Sequence, residues 1–87
     1  MNELATLLIQ PNPNNGKFQL TAKVAKRQIC TLEIISSTGA IVYQEEGLVV
    51  DGNFSKEVDI TGTSTGVYMV ILRNSDNQVI RKMVLTH

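Results

Sequence analysis

The sequence predicts an all-β fold, specifically an antiparallel immunoglobulin-like β-sandwich of about seven strands. Short runs rich in β-branched and aromatic residues alternate with turn signals at intervals of about 8–12 residues. No run repeats its apolar residues with the period of a helix. All six glycines fall in segments that we interpret as turns. A chain of 87 residues is expected to form a single domain over residues 1–87, with residues 1–3 as linker or added residues.

The first part of the chain predicts two strands around the densest turn signal in the sequence. Residues 4–10 form a short apolar strand that Pro11 ends. Residues 11–16, PNPNNG, contain two prolines, and Asn15-Gly16 favours a tight reversal. The next strand is expected to be half-buried because polar and apolar residues alternate in it. Its apolar members are Phe18, Leu20, Ala22 and Val24.

The middle of the chain predicts a hairpin followed by two more strands. Residues 29–36 are expected to form an apolar strand whose inward side chains are Cys30, Leu32 and Ile34, with Ile29 and Ile35 added if both faces are covered. Residues 36–39 turn the chain, and residues 41–43 return as a strand. Residues 45–47 are expected to turn the chain again before a strand at residues 48–50. Asp51-Gly52 then predicts a tight turn into an alternating strand over residues 54–60.

Residues 59–72, DITGTSTGVYMVIL, organise the predicted fold. The Thr, Ser and Gly cluster must turn, and the β-branched and aromatic run that follows is a strong strand signal. Large side chains alternate onto both faces of this run, which predicts a central strand of a two-layer core. A polar loop over residues 73–77 leads into the final strand at residues 78–86.

Composition argues against several classes of function. Eight basic and eight acidic residues give a formal net charge of zero, whereas nucleic-acid and membrane-surface binding both gain from a basic excess. No apolar segment approaches the roughly 20 residues of a transmembrane helix. Residues 4–9 lack the basic leader of a signal peptide, so we expect any export signal to lie upstream in a longer precursor.

Residues suited to catalysis or metal binding are scarce. Cys30 lies in an apolar run, where a free cysteine behaves as a small hydrophobe. His87 is the last residue, and a structured general base is not expected at a chain end, so a Cys30–His87 dyad is disfavoured. The acidic residues of the turns are separated in sequence, unlike those of a calcium loop. We therefore expect no enzyme, no cofactor and no metal.

An accessory or adhesion module of a larger secreted protein, binding carbohydrate or calcium, is the alternative function. Such a module would show exposed aromatic side chains or a calcium-dependent change in melting temperature. The four aromatic residues instead occupy strand positions that a core would bury, namely Phe18, Tyr43, Phe54 and Tyr68. The glycines of residues 62–66 precede a strand, unlike a phosphate-binding loop, which opens a helix. A stand-alone enzyme is the third and weakest interpretation.

Three stretches in this order resemble the type A C-terminal sorting domain of proteins exported by the bacterial type IX secretion system. Residues 11–20, PNPNNGKFQL, resemble that family's PNP-x-x-G-x-F/L opening. Residues 36–43, SSTGAIVY, resemble D-x-x-G-x-x-V/I, with serine where an acidic residue is commoner. Residues 59–72 resemble D-L/I-S-x-L-x-x-G-x-Y-x-V-x-L, with Thr63 in place of leucine. The closing RKMVLTH resembles K-x-x-V-x-K, with His87 in place of a basic residue.

The resemblance implies a non-enzymatic secretion and sorting signal for a cargo protein fused to its N-terminus. The implied partners are the outer-membrane translocon and a sortase-like peptidase that cleaves before the PNP turn and can attach the cargo to surface lipopolysaccharide. The implied location is the periplasm in transit, then the cell surface or the medium, in a Gram-negative bacterium. The motif residues that it marks as candidates for recognition are Pro11, Asn12, Pro13, Gly16, Phe18, Gly39, Asp59, Gly66, Tyr68, Val70, Leu72, Lys82 and Val84.

The last strand is our candidate for the surface that the secretion machinery recognises. Residues 78–87, with the adjoining strand at 66–72, are expected to present a backbone edge, and edge strands are templates for pairing with another chain. The same edge predicts that edge-paired dimers can form in concentrated samples. Deleting residues 81–87 from a fused cargo is expected to hold that cargo in the periplasm.

Overall fold

A computed structural model of the chain describes residues 4–86, with the side chains of residues 6–86. Across these residues it forms seven strands and no helix, which confirms the predicted all-β fold. The strands are β1 (Leu4–Gln10), β2 (Lys17–Val24), β3 (Gln28–Ser36), β4 (Ile41–Val50), β5 (Asn53–Asp59), β6 (Gly66–Arg73) and β7 (Gln78–Leu85). Within the described chain, therefore, no helix is long and apolar enough to span a membrane.

The strands form two antiparallel sheets that pack face to face as a sandwich. One sheet has three strands in the order β1-β2-β5, and the other has four in the order β4-β3-β6-β7. Alternate side chains of each strand point into the space between the sheets, so one face of each sheet supplies the core. The largest fully buried side chains are Leu20, Cys30, Leu32, Ile34, Val50, Val70, Leu72, Met83 and Leu85.

The alternation expected for β2 is present in its burial. Phe18, Leu20, Ala22 and Val24 are all buried, while Lys17, Gln19 and Lys23 face solvent. Full burial of one large aliphatic side chain contributes about 1.5–3 kcal/mol, so this period of two is enough to fix which face of the strand turns inward. The predicted inward residues of β3, Cys30, Leu32 and Ile34, are buried as well.

Strand β4 differs from the prediction, because residues 45–47 do not turn the chain. Leu48 pairs with Cys30, and Glu45 pairs with Leu32. Between these two pairs β4 advances by three residues while β3 advances by two, so β4 contains one extra residue. This extra residue is a β-bulge, and Gly47 accommodates it with a φ of +73°. The expected turn is therefore wrong, and so is the expectation that every glycine lies in a turn. One strand of ten residues replaces the two short strands that were predicted.

Strand β6 lies between β3 and β7, which confirms its predicted central position. Tyr68, Val70 and Leu72 point into the core. The alternate side chains are not covered by a further layer, and Val67 and Met69 are 43% and 40% exposed. The four-stranded sheet thus has an outward face that is partly apolar.

Antiparallel pairing gathers the connections at the two ends of the sandwich. The end at which β1 stops and β2 starts also holds the β3–β4 and β5–β6 connections and the end of β7. We name it the signature end: residues 11–16, 37–40, 60–65 and 85–86. Leu4 and the other three connections lie at the opposite end. The three stretches singled out in the sequence therefore meet at one end of the molecule.

Candidate recognition site

The connection between β1 and β2 is fastened to the outer edge of β7. We name residues 11–16 the PNP strap. Asn12 Nδ2 donates to the carbonyl oxygen of Lys82 at 3.0 Å, and Asn12 Oδ1 accepts from the amide of Val84 at 3.0 Å. The backbone of Asn14 continues this pairing, since its amide donates to Val84 O (3.0 Å) and its carbonyl accepts from Thr86 N (2.7 Å). The expected tight reversal is thus a longer connection that reaches the other sheet.

The side chain of Asn14 shapes the strap from within. It is 5% exposed, and both of its polar atoms are satisfied. Nδ2 donates to Pro11 O at 2.9 Å, and Oδ1 accepts from the amide of Gly16 at 2.9 Å. The Gln10–Pro11 and Asn12–Pro13 peptide bonds on either side of Asn12 are cis. Sequence reasoning missed Asn14, although an Asn two residues before a Gly has the spacing of an Asx turn.

The strap also contacts the β5–β6 connection. The amide of Ile60 donates to Gly16 O at 2.8 Å. One residue earlier, Asp59 Oδ1 accepts from both the amide (2.9 Å) and the hydroxyl (2.7 Å) of Thr61. These donors, the backbone amide first, favour the charged carboxylate and lower the pKa of Asp59 below its usual value. The signature carboxylate therefore shapes its own turn.

The remainder of the β5–β6 connection is held by hydrogen bonds within residues 60–68. The amide and the hydroxyl of Thr63 both donate to Ile60 O, at 3.2 and 2.8 Å. The hydroxyl of Tyr68, whose ring is buried, donates to Ser64 O. Thr63, which stands in place of the leucine of the motif that residues 59–72 resemble, thus supplies a hydrogen bond within the connection.

The β3–β4 hairpin stands across a groove from this connection. Its turn is closed by Ser36 N donating to Ala40 O (2.8 Å) and Gly39 N donating to Ser36 O (2.9 Å). Gly39 adopts a φ of +91°, which favours glycine. The groove between residues 36–38 and 62–66 has a volume of about 430 Å³, and most of the residues that line it are serine, threonine or glycine.

Comparison with known protein families assigns the chain to a family. The family model for the secretion system C-terminal sorting domain matches residues 8–86. The chain belongs to this family. The members of this family are C-terminal sorting domains of the type IX secretion system, and the family is non-catalytic. Membership implies a secreted protein of a Gram-negative bacterium and a cargo protein that the type IX system sorts. No protein with a curated description matches the chain.

The motif residues of the sorting domain fall into two groups by burial. Those with buried side chains fill the core: Phe18, Tyr68, Val70 and Leu72. The exposed or partly exposed ones lie at or near the signature end: Pro11, Asn12, Pro13, Gly39, Asp59, Gly66, Lys82 and Val84. Gly16 is buried beneath them. The strap, the start of the β5–β6 connection and residues 82–84 form one hydrogen-bonded unit, while Gly39 lies apart on the hairpin.

The ionisable groups of the sorting domain form two ion pairs among the described residues. Arg73 Nη2 lies 3.2 Å from Glu33 Oε2 on the outward face of the four-stranded sheet, and Lys56 Nζ lies 2.9 Å from Glu45 Oε1 between β5 and β4. The hydrogen bond from Arg73 lowers the pKa of Glu33, and that from Lys56 lowers the pKa of Glu45. Both pairs support strands of the sandwich.

Other titratable groups do not gather into a site within residues 4–86. No three His, Cys, Asp or Glu residues in that range are placed to hold a metal ion. Cys30 is a free, buried thiol, and burial raises its pKa. The Cys30–His87 dyad considered from the sequence lies outside the described residues because His87 does. Chemically, the described surface offers backbone and side-chain hydrogen bonding, an apolar sheet face and scattered charge.

Proposed function

We propose that this sorting domain is a non-enzymatic C-terminal signal, spanning residues 1–87, that directs a cargo protein through the type IX secretion system across the outer membrane. The observation that carries the proposal is the family match over residues 8–86. It is supported by the convergence of the matched stretches at the signature end. The proposed partners are the outer-membrane translocon and a sortase-like peptidase.

The position of β1 supports a cargo attached at the N-terminal side. Leu4 begins β1 at the end of the sandwich opposite the signature end. A cargo domain that precedes β1 therefore emerges away from the strap and away from residues 82–86. The signature end stays accessible to the secretion machinery while the cargo is attached.

The same strand limits where the sortase-like peptidase can cut. Leu7 and Ile9 of β1 are buried, at 4% and 7% exposure. A cut between β1 and the strap would separate these side chains from the domain whose core they fill. We therefore propose that cleavage occurs before β1, after which the cargo is released or attached to surface lipopolysaccharide.

A localisation assay tests the proposal. Residues 4–87 are fused to the C-terminus of a fluorescent protein that carries a signal peptide, in a host with a type IX system. The matched control is the same fusion in a translocon-deficient strain. Fluorescence in the medium or on the surface of the competent strain alone is the expected result. Fluorescence held in the periplasm of both strains would contradict the proposal and favour an accessory module that binds glycan or calcium.

Truncation of the tail is a poor test of recognition. Deleting residues 81–87 removes Met83 and Leu85, which are 0% and 1% exposed, and losing one such side chain alone costs about 2–5 kcal/mol. A periplasmic block would then reflect unfolding. Substitutions at exposed positions keep the core intact. Lys82→Glu is such a substitution, and Lys23→Glu on the other sheet is its control.

A further inference from the structure

The outward face of the four-stranded sheet is apolar towards the signature end. Ile35 lies between Ile41 of β4 and Met69 of β6 in one row across the sheet, and Val67 pairs with Val84 in the next. Their exposures include 55% for Ile41 and 43% for Val67. The outward face of β2 in the other sheet carries lysine, glutamine and threonine instead. The two outward faces of the sandwich thus differ in chemistry.

Within the described part of the chain, one part of the β7 edge beside this apolar face has no hydrogen-bonded strand on its outer side, although β1 of the other sheet packs close to β7. The bonds to the strap show that Lys82, Val84 and Thr86 direct their backbone groups away from β6, so Gln78 and Ile80 do the same. The strap pairs this edge from Lys82 O to Thr86 N. Among residues 4–86, the amides of Ile80 and Lys82 have no acceptor. Ile80 is also 37% exposed, so an open backbone and an apolar side chain coincide there.

Two positively charged side chains, those of Arg81 and Lys82, lie at the open segment. Arg81 Nη1 donates to the carbonyl oxygen of Ile80 at 2.9 Å, which covers the acceptor that an added strand would use. Arg81 and Lys82 are both exposed. Pairing β7 with β7 of a second copy would place two Arg81 and two Lys82 side chains on one short ladder, and like charges on neighbouring strands are destabilising. A second copy of this chain is therefore a poor occupant of this edge.

We propose that the β7 edge over residues 78–82 accepts an extended segment of a secretion partner, which adds as a fifth strand and carries an acidic side chain. A carboxylate beside Arg81 draws its guanidinium away from Ile80 O, and that oxygen then accepts a ladder hydrogen bond. Apolar side chains on the outward face of the added strand extend the apolar surface past Ile80. The added strand can pair with β7 only as far as the amide of Lys82, because Asn12 already binds the carbonyl oxygen of Lys82 and the amide of Val84. This inference rests on the proposed function and identifies the surface that the partner recognises.

Amide hydrogen exchange of the 87-residue chain tests whether the edge is open. The amides of Ile80 and Lys82 are expected to exchange about tenfold or more faster than those of Val84 and Thr86, which the strap holds. All four belong to or directly follow the same strand, so Val84 and Thr86 are internal controls. Equal protection of the four amides would overturn the proposal.

Variants in the export assay test whether the edge is used. Ile80→Pro removes the outward amide but leaves the ladder to β6 intact, and Ile80→Val keeps that amide. Arg81→Glu reverses the charge beside the open edge, and Lys23→Glu reverses an exposed charge on the other sheet. We expect Ile80→Pro and Arg81→Glu to lower export about tenfold or more, Ile80→Val to lower it far less than Ile80→Pro, and Lys23→Glu to export like the unchanged domain. Thermal unfolding of each variant shows whether it is folded.

The outcomes separate this inference from the proposed function. Normal export of Arg81→Glu, or of folded Ile80→Pro, would overturn the edge proposal while the sorting role stands. Equal loss of export in Ile80→Val and Ile80→Pro would also overturn it, because the side chain and not the backbone would then matter. Failure of the unchanged domain to export would contradict the proposed function itself. If Ile80→Pro does not fold, the export of Arg81→Glu decides whether the edge proposal stands.

Discussion

Gly16 and Thr61 pack backbone against backbone, so closely that a Cβ on residue 16 would lie 2.9 Å from both Cα and N of Thr61. The two residues belong to different signature stretches, the strap and the β5–β6 connection. Gly16 also adopts a φ of +111°, in a region that residues with a side chain rarely occupy. The glycine of the PNP stretch is therefore required by the contact between two connections.

Gly16→Ala is expected to destabilise the domain by about 2–4 kcal/mol, from backbone strain together with the clash at Thr61. Gly39→Ala is the matched control, because Gly39 has a φ of +91° but no atom within 4 Å of the added Cβ. We expect it to cost about 1 kcal/mol. Urea unfolding of the two variants measures both values. Equal destabilisation would contradict a role for the Thr61 contact.

Asn14→Ala is expected to cost about 1–3 kcal/mol, because it leaves the buried amide of Gly16 and the carbonyl of Pro11 without their partner. Asn15→Ala is the control, since Asn15 is exposed and accepts one bond, from Lys17 N at 3.2 Å. Amide exchange at Thr86, which the Asn14 carbonyl holds, should also accelerate in Asn14→Ala. An Asn14 variant as stable as the Asn15 variant would show that the strap keeps its shape without this side chain.

Tyr68→Phe is expected to cost about 0.5–1.5 kcal/mol, the usual net contribution of one hydrogen bond. The ring stays in the core, and only the bond to Ser64 O is lost. Amides of residues 62–66 should exchange faster in this variant, because the tyrosine hydroxyl ties that connection to β6. Tyr43→Phe, which loses a bond to Glu45 at 2.8 Å within β4, should leave those amides unchanged. Faster exchange in both variants would argue against a local effect.

Stability is expected to fall in acid. The pKa values of Glu33, Glu45 and Asp59 are lower in the folded chain than in the unfolded chain, through Arg73, Lys56 and Thr61 respectively. Their contribution is therefore complete above the unfolded values near about 4 and is lost as the pH falls through the folded values. The urea midpoint should decline from about pH 5 downwards.

Glu33→Gln should make that decline shallower, because it removes one of the three shifted carboxylates. Glu57→Gln, which changes an exposed carboxylate outside both ion pairs, serves as its control. A urea midpoint that stays constant from about pH 5 to about pH 2.5, a range that spans the unfolded values near about 4, would contradict the assigned shifts.

Local sequence patterns predicted most of the strands. The features that they did not predict, a bulge and the attachment of the strap, depend on pairing between distant segments. The alternation from Phe18 to Val24 requires one buried face, so β2 and its buried residues were predicted correctly. The bulge at Gly47 was missed because an acidic pair followed by glycine has the composition of a turn, and the ladder to β3 determines whether the chain reverses. The hydrogen bonds from Asn12 to β7 join residues 70 and 72 positions apart, a separation that no local pattern reports.

The strap has a further consequence for the order of events in synthesis. Asn12 emerges from the ribosome early in this domain, whereas its partners Lys82 and Val84 are made 70 and 72 residues later. Contacts this distant in sequence form only after the intervening chain is complete and its loop-closure entropy has been overcome. A cargo whose translation stopped within this domain would lack a closed strap. A closed strap therefore indicates that the polypeptide was made through to Thr86.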